Sequence, residues 1–145
     1  MRDALATFAL SQAITASAKS NIIDLKAIRD IAIGVPLYLW CGLDEAMTDA
    51  GSDSTIAVTL ETDDAEAFGS ATLRQTFGTF AALGALGKLL TDWPLLFSPG
   101  AFVERWARLD FTVANGNLTT GKVTAFITPN PQLWRGYARA GGPSF

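Results

Sequence analysis

The 145-residue sequence predicts an all-β fold, a jelly roll or β-sandwich of about eight strands with a short N-terminal arm and an extended C-terminal tail. Three observations carry that reading. Residues 106–128 alternate with period two on both sides of a turn. Leu109, Phe111 and Val113 oppose Arg108, Asp110 and Thr112; then Val123, Ala125 and Ile127 oppose Lys122, Thr124 and Thr128. Such alternation marks half-buried antiparallel strands, and Asn115-Gly116-Asn117 supplies the turn chemistry of a hairpin between them. Residues 55–62 alternate as cleanly, with Ile56, Val58 and Leu60 facing one way and Ala57, Thr59 and Glu61 the other. Finally, turn signals recur between short β-prone runs, which is the spacing of a sandwich or jelly roll.

In chain order, residues 1–10 suit a short helix or an extended arm, and residues 12–17 a first strand. Residues 21–25 read as a short edge strand or turn, and residues 26–33, with mixed periodicity, as loop. Gly34-Val35-Pro36 is a breaker. Leu37-Tyr38-Leu39-Trp40-Cys41 is β-prone and apolar on both faces, so it is buried on both sides or rests one face on a partner. Residues 46–54, with Thr48, Asp49, Gly51, Ser52 and Asp53, carry loop chemistry. Asp63-Asp64 closes the strand at 55–62. Residues 67–77 read as a polar connector with room for a short strand at 71–73. The Ala/Leu/Gly stretch at 79–90 has no decisive period, and Pro94, Pro99 and Gly100 mark a loop. Residues 1–131 form one jelly-roll domain. Residues 132–145, with Trp134, Arg135, Tyr137, Arg139 and Phe145, are too glycine-rich for a core of their own and too aromatic for a plain disordered end. They are expected to dock on the body or on a neighbouring subunit.

Hydrophobic residues make up 49% of the chain and charged residues 17%. A small domain with so little charge leaves apolar surface for other chains to cover. The net charge of −3 and scattered basic residues argue against a nucleic-acid partner. The longest apolar run, at 77–90, is interrupted and shorter than a membrane span, so no membrane partner is expected. No secretory signal is visible, and a reducing compartment of synthesis suits the lone thiol, Cys41, which reads as a small buried hydrophobe.

Reactive chemistry is sparse. With no histidine and one cysteine, the chain lacks the usual general base, the Ser/His and Cys/His pairs and the thiolate metal sites. A small hydrolase is therefore disfavoured, and no enzymatic activity, cofactor or metal is expected. Gly116-Asn117-Leu118-Thr119-Thr120-Gly121-Lys122 has the glycine and lysine spacing of a phosphate loop, but Val123 stands where Ser or Thr would hold magnesium, and a strand pattern follows instead of a helix. Asn117-Leu118-Thr119 is a chance glycosylation triplet. Asp44-Glu45, Asp49, Asp53 and Asp63-Asp64-Glu66 read as solvated loop acids, with structural calcium as the alternative. Among the tryptophans, Trp40 and Trp106 suit a core and Trp134 an interface; a sugar-stacking platform is the competing use.

Several blocks resemble the small capsid cement proteins of short-tailed phages, whose type member comes from a Bordetella phage. Asn21-Ile22-Ile23-Asp24-Leu25 followed by Gly34-Val35-Pro36-Leu37-Tyr38-Leu39 resembles that family's N-terminal signature. Val58-Thr59-Leu60-Glu61-Thr62-Asp63-Asp64 with Ala67-Phe68 is similar to its second block, residues 105–127 to its late hairpin, and residues 134–139 to its aromatic, arginine-bearing tail. The resemblance implies a jelly-roll virion protein on the outer surface of an icosahedral shell. Its partners would be the major capsid protein and its own copies, as a homodimer or alternatively a trimer. Tyr38, Trp40, Trp134, Arg135, Tyr137, Arg139 and Phe145 are then the expected interface anchors. A carbohydrate-binding jelly roll is the alternative.

Overall fold

A computed structural model describes residues 6–25, 37–81, 89–94 and 104–129. They form nine strands: β1 (Thr7–Ala13), β2 (Ala18–Lys19), β3 (Ile23–Asp24), β4 (Tyr38–Thr48), β5 (Thr55–Asp63), β6 (Thr72–Ala81), β7 (Leu89–Pro94), β8 (Trp106–Ala114) and β9 (Thr120–Thr128). One sheet has the order β1-β9-β4-β7 and the other β2-β8-β5-β6, with β3 also on β8. All pairings are antiparallel. Because β2 and β3 both pair with β8, they act as two halves of one interrupted strand. Counted so, the first strand pairs with the last, the second with the second-last, and so on inward to β5 with β6. That is a long antiparallel ribbon rolled on itself, the jelly roll that the sequence predicts.

The core lies between the sheets. The first contributes Phe8, Leu39, Cys41, Val123, Ala125 and Ile127, and the second Ile56, Val58, Leu60, Leu109 and Phe111, all buried. These are the residues that period two places on a single face of each strand.

Several expectations need correction. The runs at 106–114 and 120–128 are strands but not a hairpin. Rolling puts β8 in one sheet and β9 in the other, so each pairs with partners distant in sequence. The turn residues Asn115 (φ 63°) and Gly116 (φ 110°) carry the chain between sheets. Nor is β9 half-buried, since Thr124, Phe126 and Thr128 on its outer face are buried too. Thr7–Ala13 is an edge strand, neither helix nor free arm, and it ends where residues 12–17 were expected to form a strand. Residues 46–48 complete β4, and β6 runs for ten residues where a connector was expected. Residues 79–81 belong to β6, and 89–94, Pro94 included, form β7. Trp106 is not in the core. It shares parity with Arg108 and Asp110 and sits half-buried on the outer face of its sheet. The breaker at 34–36, Pro99 and Gly100, and residues 132–145 lie outside the described residues.

The two ends of the sandwich differ. At one, loops 49–54 and 115–119 are tied together. Ser54 Oγ donates to the Gly116 carbonyl at 3.1 Å and Asn115 Nδ2 to the Asp53 carbonyl at 3.3 Å. Backbone bonds from Leu118 to Thr15 (2.8 Å) and from Thr119 to Thr48 (2.7 Å) complete this closed end. Gly121 follows at φ 151°, and a Cβ there would stand 2.8 Å from Met47 Cγ, so both backbone angle and space require glycine. At the other end β1, β4 and β8 begin while β3, β5 and β9 finish. Thr7 there faces Phe126, and Tyr38 faces Thr128.

Candidate functional site

The outer face of the β1-β9-β4-β7 sheet gathers the aromatic residues of the apolar run at 37–41. Period two sends Leu39 and Cys41 into the core and turns Tyr38 and Trp40 outward. Trp40 lies opposite Phe126, and the two rings stack with centroids 5.0 Å apart and planes 26° apart. The indole also covers Gly42, where a Cβ would stand 2.5 Å from the ring. Trp40 is only 5% exposed, and among the described residues its Nε1 is a buried donor without a partner. Tyr38 is half-buried beside Thr128. Further along the same face, the Asp44 carboxylate accepts from Ser11 Oγ at 2.9 Å and from the Thr124 hydroxyl, while the Ser11 amide donates to Thr124 Oγ1 at 3.0 Å.

The other sheet presents a charged exterior. Lys19 bridges Asp110 at 2.9 Å and Glu61 at 3.5 Å. Arg108 donates to Glu61 at 3.0 Å and lies 4.1 Å over the Phe68 ring. Arg105 grips Asp24 through two bonds of 2.6 and 3.0 Å and lies 4.7 Å over Trp106. The bond to Asp24 raises the Arg105 pKa further. Where β5 ends, Glu104 accepts from the Thr62 hydroxyl, from Thr72 at 3.0 Å and from Arg74 at 2.5 Å. Its pKa is held below the usual carboxylate range, first by Thr62 and next by Arg74. Leu73 on β6 and Ile22 beside β3 stand 60% and 38% exposed.

The motifs that looked chemical have structural surroundings. Asp49 accepts from the amides of Gly51, Asp53 and Ser54, and the bonds from Ser54 lead in lowering its pKa to about 2. Asp63 accepts from Ala65 and Ser70 at 2.9 and 2.8 Å. Among the described residues no three His, Cys, Asp or Glu side chains converge as a metal site. Gly121 and Lys122 of the phosphate-loop spacing lie within β9, with Lys122 paired to Glu45 at 3.2 Å, and the strand runs on to Thr128 where a phosphate loop would open a helix. Burial raises the pKa of the Cys41 thiol far above its ordinary value, so it stays protonated and unreactive.

Of the expected anchors, Tyr38 and Trp40 come together on one face, whereas Trp134, Arg135, Tyr137, Arg139 and Phe145 lie outside the described residues. Phe126 was not anticipated as the partner of Trp40. The alternation of Val123, Ala125 and Ile127 marks only the inner face of β9, although Thr124-Ala125-Phe126-Ile127-Thr128 carries large or β-branched residues on both. The Asp24–Arg105–Trp106 group has no local signal, because Asp24 lies 81 residues from Arg105 in sequence.

A rolled two-sheet sandwich with a paired-charge exterior and an aromatic, hydroxyl-lined second face is the architecture of the jelly-roll class, which serves viral shells and lectins alike. Residues 8–127 match Bbp16, a Bordetella phage protein family, and the chain belongs to that family. No curated protein matches the chain.

Proposed function

We propose that the chain is a non-enzymatic virion structural protein, a capsid cement that binds the outer surface of a phage shell and bridges major capsid subunits. The supporting observation is the extent of the family match, which runs from β1 to the end of β9 and so takes in the whole rolled sandwich. A shell filled with DNA pushes outward, and a clamp burying apolar surface across subunit seams raises the free energy of separating them. An interface of about 1,600 Å² at ~25 cal/mol per Å² corresponds to tens of kcal/mol gross and much less net. Many copies then act together through avidity. The chain also associates with its own copies in this reading. Tyr38 and the tail residues Trp134, Arg135, Tyr137, Arg139 and Phe145 supply contact, and Trp40 supports the face beneath. The sugar-binding alternative needs open aromatic faces, but Trp40 is buried against Phe126 and Trp106 lies under Arg105.

Deleting residues 132–145 tests the tail's part. The truncated chain is expected to keep its far-ultraviolet β spectrum and cooperative melt while losing co-sedimentation with expanded shells. Normal co-sedimentation would reject the tail as an anchor, and absence of the full chain from purified particles by mass spectrometry would reject the cement reading itself.

A further inference from the structure

We infer that two copies of the chain associate through the narrow side of the sandwich where β1 runs beside β2 and β3, about a two-fold axis parallel to the strands. This rests on the cement reading above and gives its self-association a surface. β1 is the edge of one sheet, and β2 and β3 form the edge of the other. Two bonds of 2.8 Å join these edges, from the Asn21 amide to the Phe8 carbonyl and from Gln12 Nε2 to the Lys19 carbonyl. Leu10 lies on β1 between those ties and Ile22 beside the first, 60% and 38% exposed. The third exposed large hydrophobic residue described, Leu73, lies at the opposite edge of the second sheet, across from Glu61.

Leu10 is rigidly mounted. It falls where β1 shifts register against β9 between Ala9 and Gln12. Ser11 holds this bulge at φ 47°, with its amide donating to Thr124 Oγ1 at 3.0 Å and its hydroxyl to Asp44 Oδ2 at 2.9 Å. A non-glycine residue keeps such an angle only when its surroundings fix it. A bulge re-aims a side chain and also keeps an edge from pairing with a foreign strand, so contact here is between side chains. The charges select a second copy and its orientation. No residue from Ala6 to Ala18 is ionised. On either flank, at the level of Ser11 and Gln12, Asp44 is exposed on one sheet and Lys19 on the other. Asp44 beside the Glu45–Lys122 pair leaves one negative charge, whereas Lys19 and Arg108 balance Asp110 and Glu61. A two-fold axis across the strands would set Asp44 against Asp44 of the partner subunit, and like charges would meet. An axis along the strands sets it against Lys19 of the partner subunit, whose ammonium has three donors and two carboxylates of its own. Leu10 and Ile22 of both copies then gather between the two charged contacts.

Sedimentation velocity tests this. The native chain at about 50 μM is expected to run as a dimer. Leu10→Asp and Ile22→Asp each put a charge on this side while leaving the core intact, which a thermal melt verifies. Each is expected to raise the dimer dissociation constant at least about tenfold, and Leu73→Asp, at the opposite edge, to change it less than about twofold. Carbodiimide coupling of a mixture of unlabelled and isotopically labelled native chains needs no substitution. Linked Asp44–Lys19 peptides are expected as mixed pairs, one half from each chain. A monomer at that concentration, a dimer indifferent to Leu10→Asp and Ile22→Asp, equal weakening by Leu73→Asp, or a lack of mixed pairs would each overturn the proposal. Co-sedimentation with expanded shells is measured on the same samples. Dimers that separate with Leu10→Asp yet bind no shell would support this surface and reject the cement reading; monomers that bind shells would do the reverse.

Discussion

At Trp40, the ring that stacks on Phe126 and roofs Gly42 also carries an N–H with no acceptor among the described residues. The indole is held by that packing. Trp40→Phe keeps an aromatic ring against Phe126 and removes the donor, whereas Trp40→Ala empties the site. Urea unfolding is expected to show a loss of about 3–5 kcal/mol for Trp40→Ala and under about 1.5 kcal/mol for Trp40→Phe. Equal losses would mean that the N–H contributes as much as the ring. Cys41, one residue on, points into the core and is expected to resist alkylation in the native protein.

Among the connections between elements, the β4–β5 loop depends on one carboxylate. Asp49 collects three backbone amides, and its pKa falls from 3.8 to about 2. A carboxyl whose folded pKa lies below its unfolded value adds stability that is present above the unfolded pKa and is lost as pH falls through the folded one. The difference in urea midpoint between the native chain and Asp49→Asn is therefore expected to be constant near neutrality and to shrink between about pH 4 and pH 2. A difference independent of pH would assign the effect to geometry alone. Elements of this kind were unevenly legible in the sequence. β5 and β8 announced themselves because their inner faces meet the core and their outer faces meet water. β6 did not, because its pairing with β5 shifts register between Val58 and Thr59 and again between Leu60 and Glu61, and each extra residue resets the period. β1 was obscured the same way, with two shifts against β9 and Ser11 at φ 47°. Of the candidate site, the strand bearing Tyr38 and Trp40 was visible. Its pairing with Phe126 was not, because no local pattern encodes which strand of a rolled ribbon lies beside which.

Over the whole molecule, the pairing of first strand with last makes folding wait on the end of the chain. β9 sits between β1 and β4, so without it the first sheet is cut in two. A chain ending at residue 119 is expected to remain unfolded by circular dichroism, while one ending at residue 131 folds; a native melt from the shorter chain would show that the second sheet suffices. Pairings this distant in sequence also predict folding in milliseconds to seconds, slower than helical bundles of similar size. The adjacency of Thr7 and Phe126 at one end has a mechanical side as well. Hydrogen bonds in an antiparallel pair run across the strands. Traction applied between Thr7 and Thr128 would therefore unzip β1 from β9 rung by rung, where shear along the strands would load every rung together. Optical-tweezer pulling from those two positions should find a soft molecule, and one anchored across its width should find a stiff one. A protein so jointed withstands compression between neighbours better than tension on its ends.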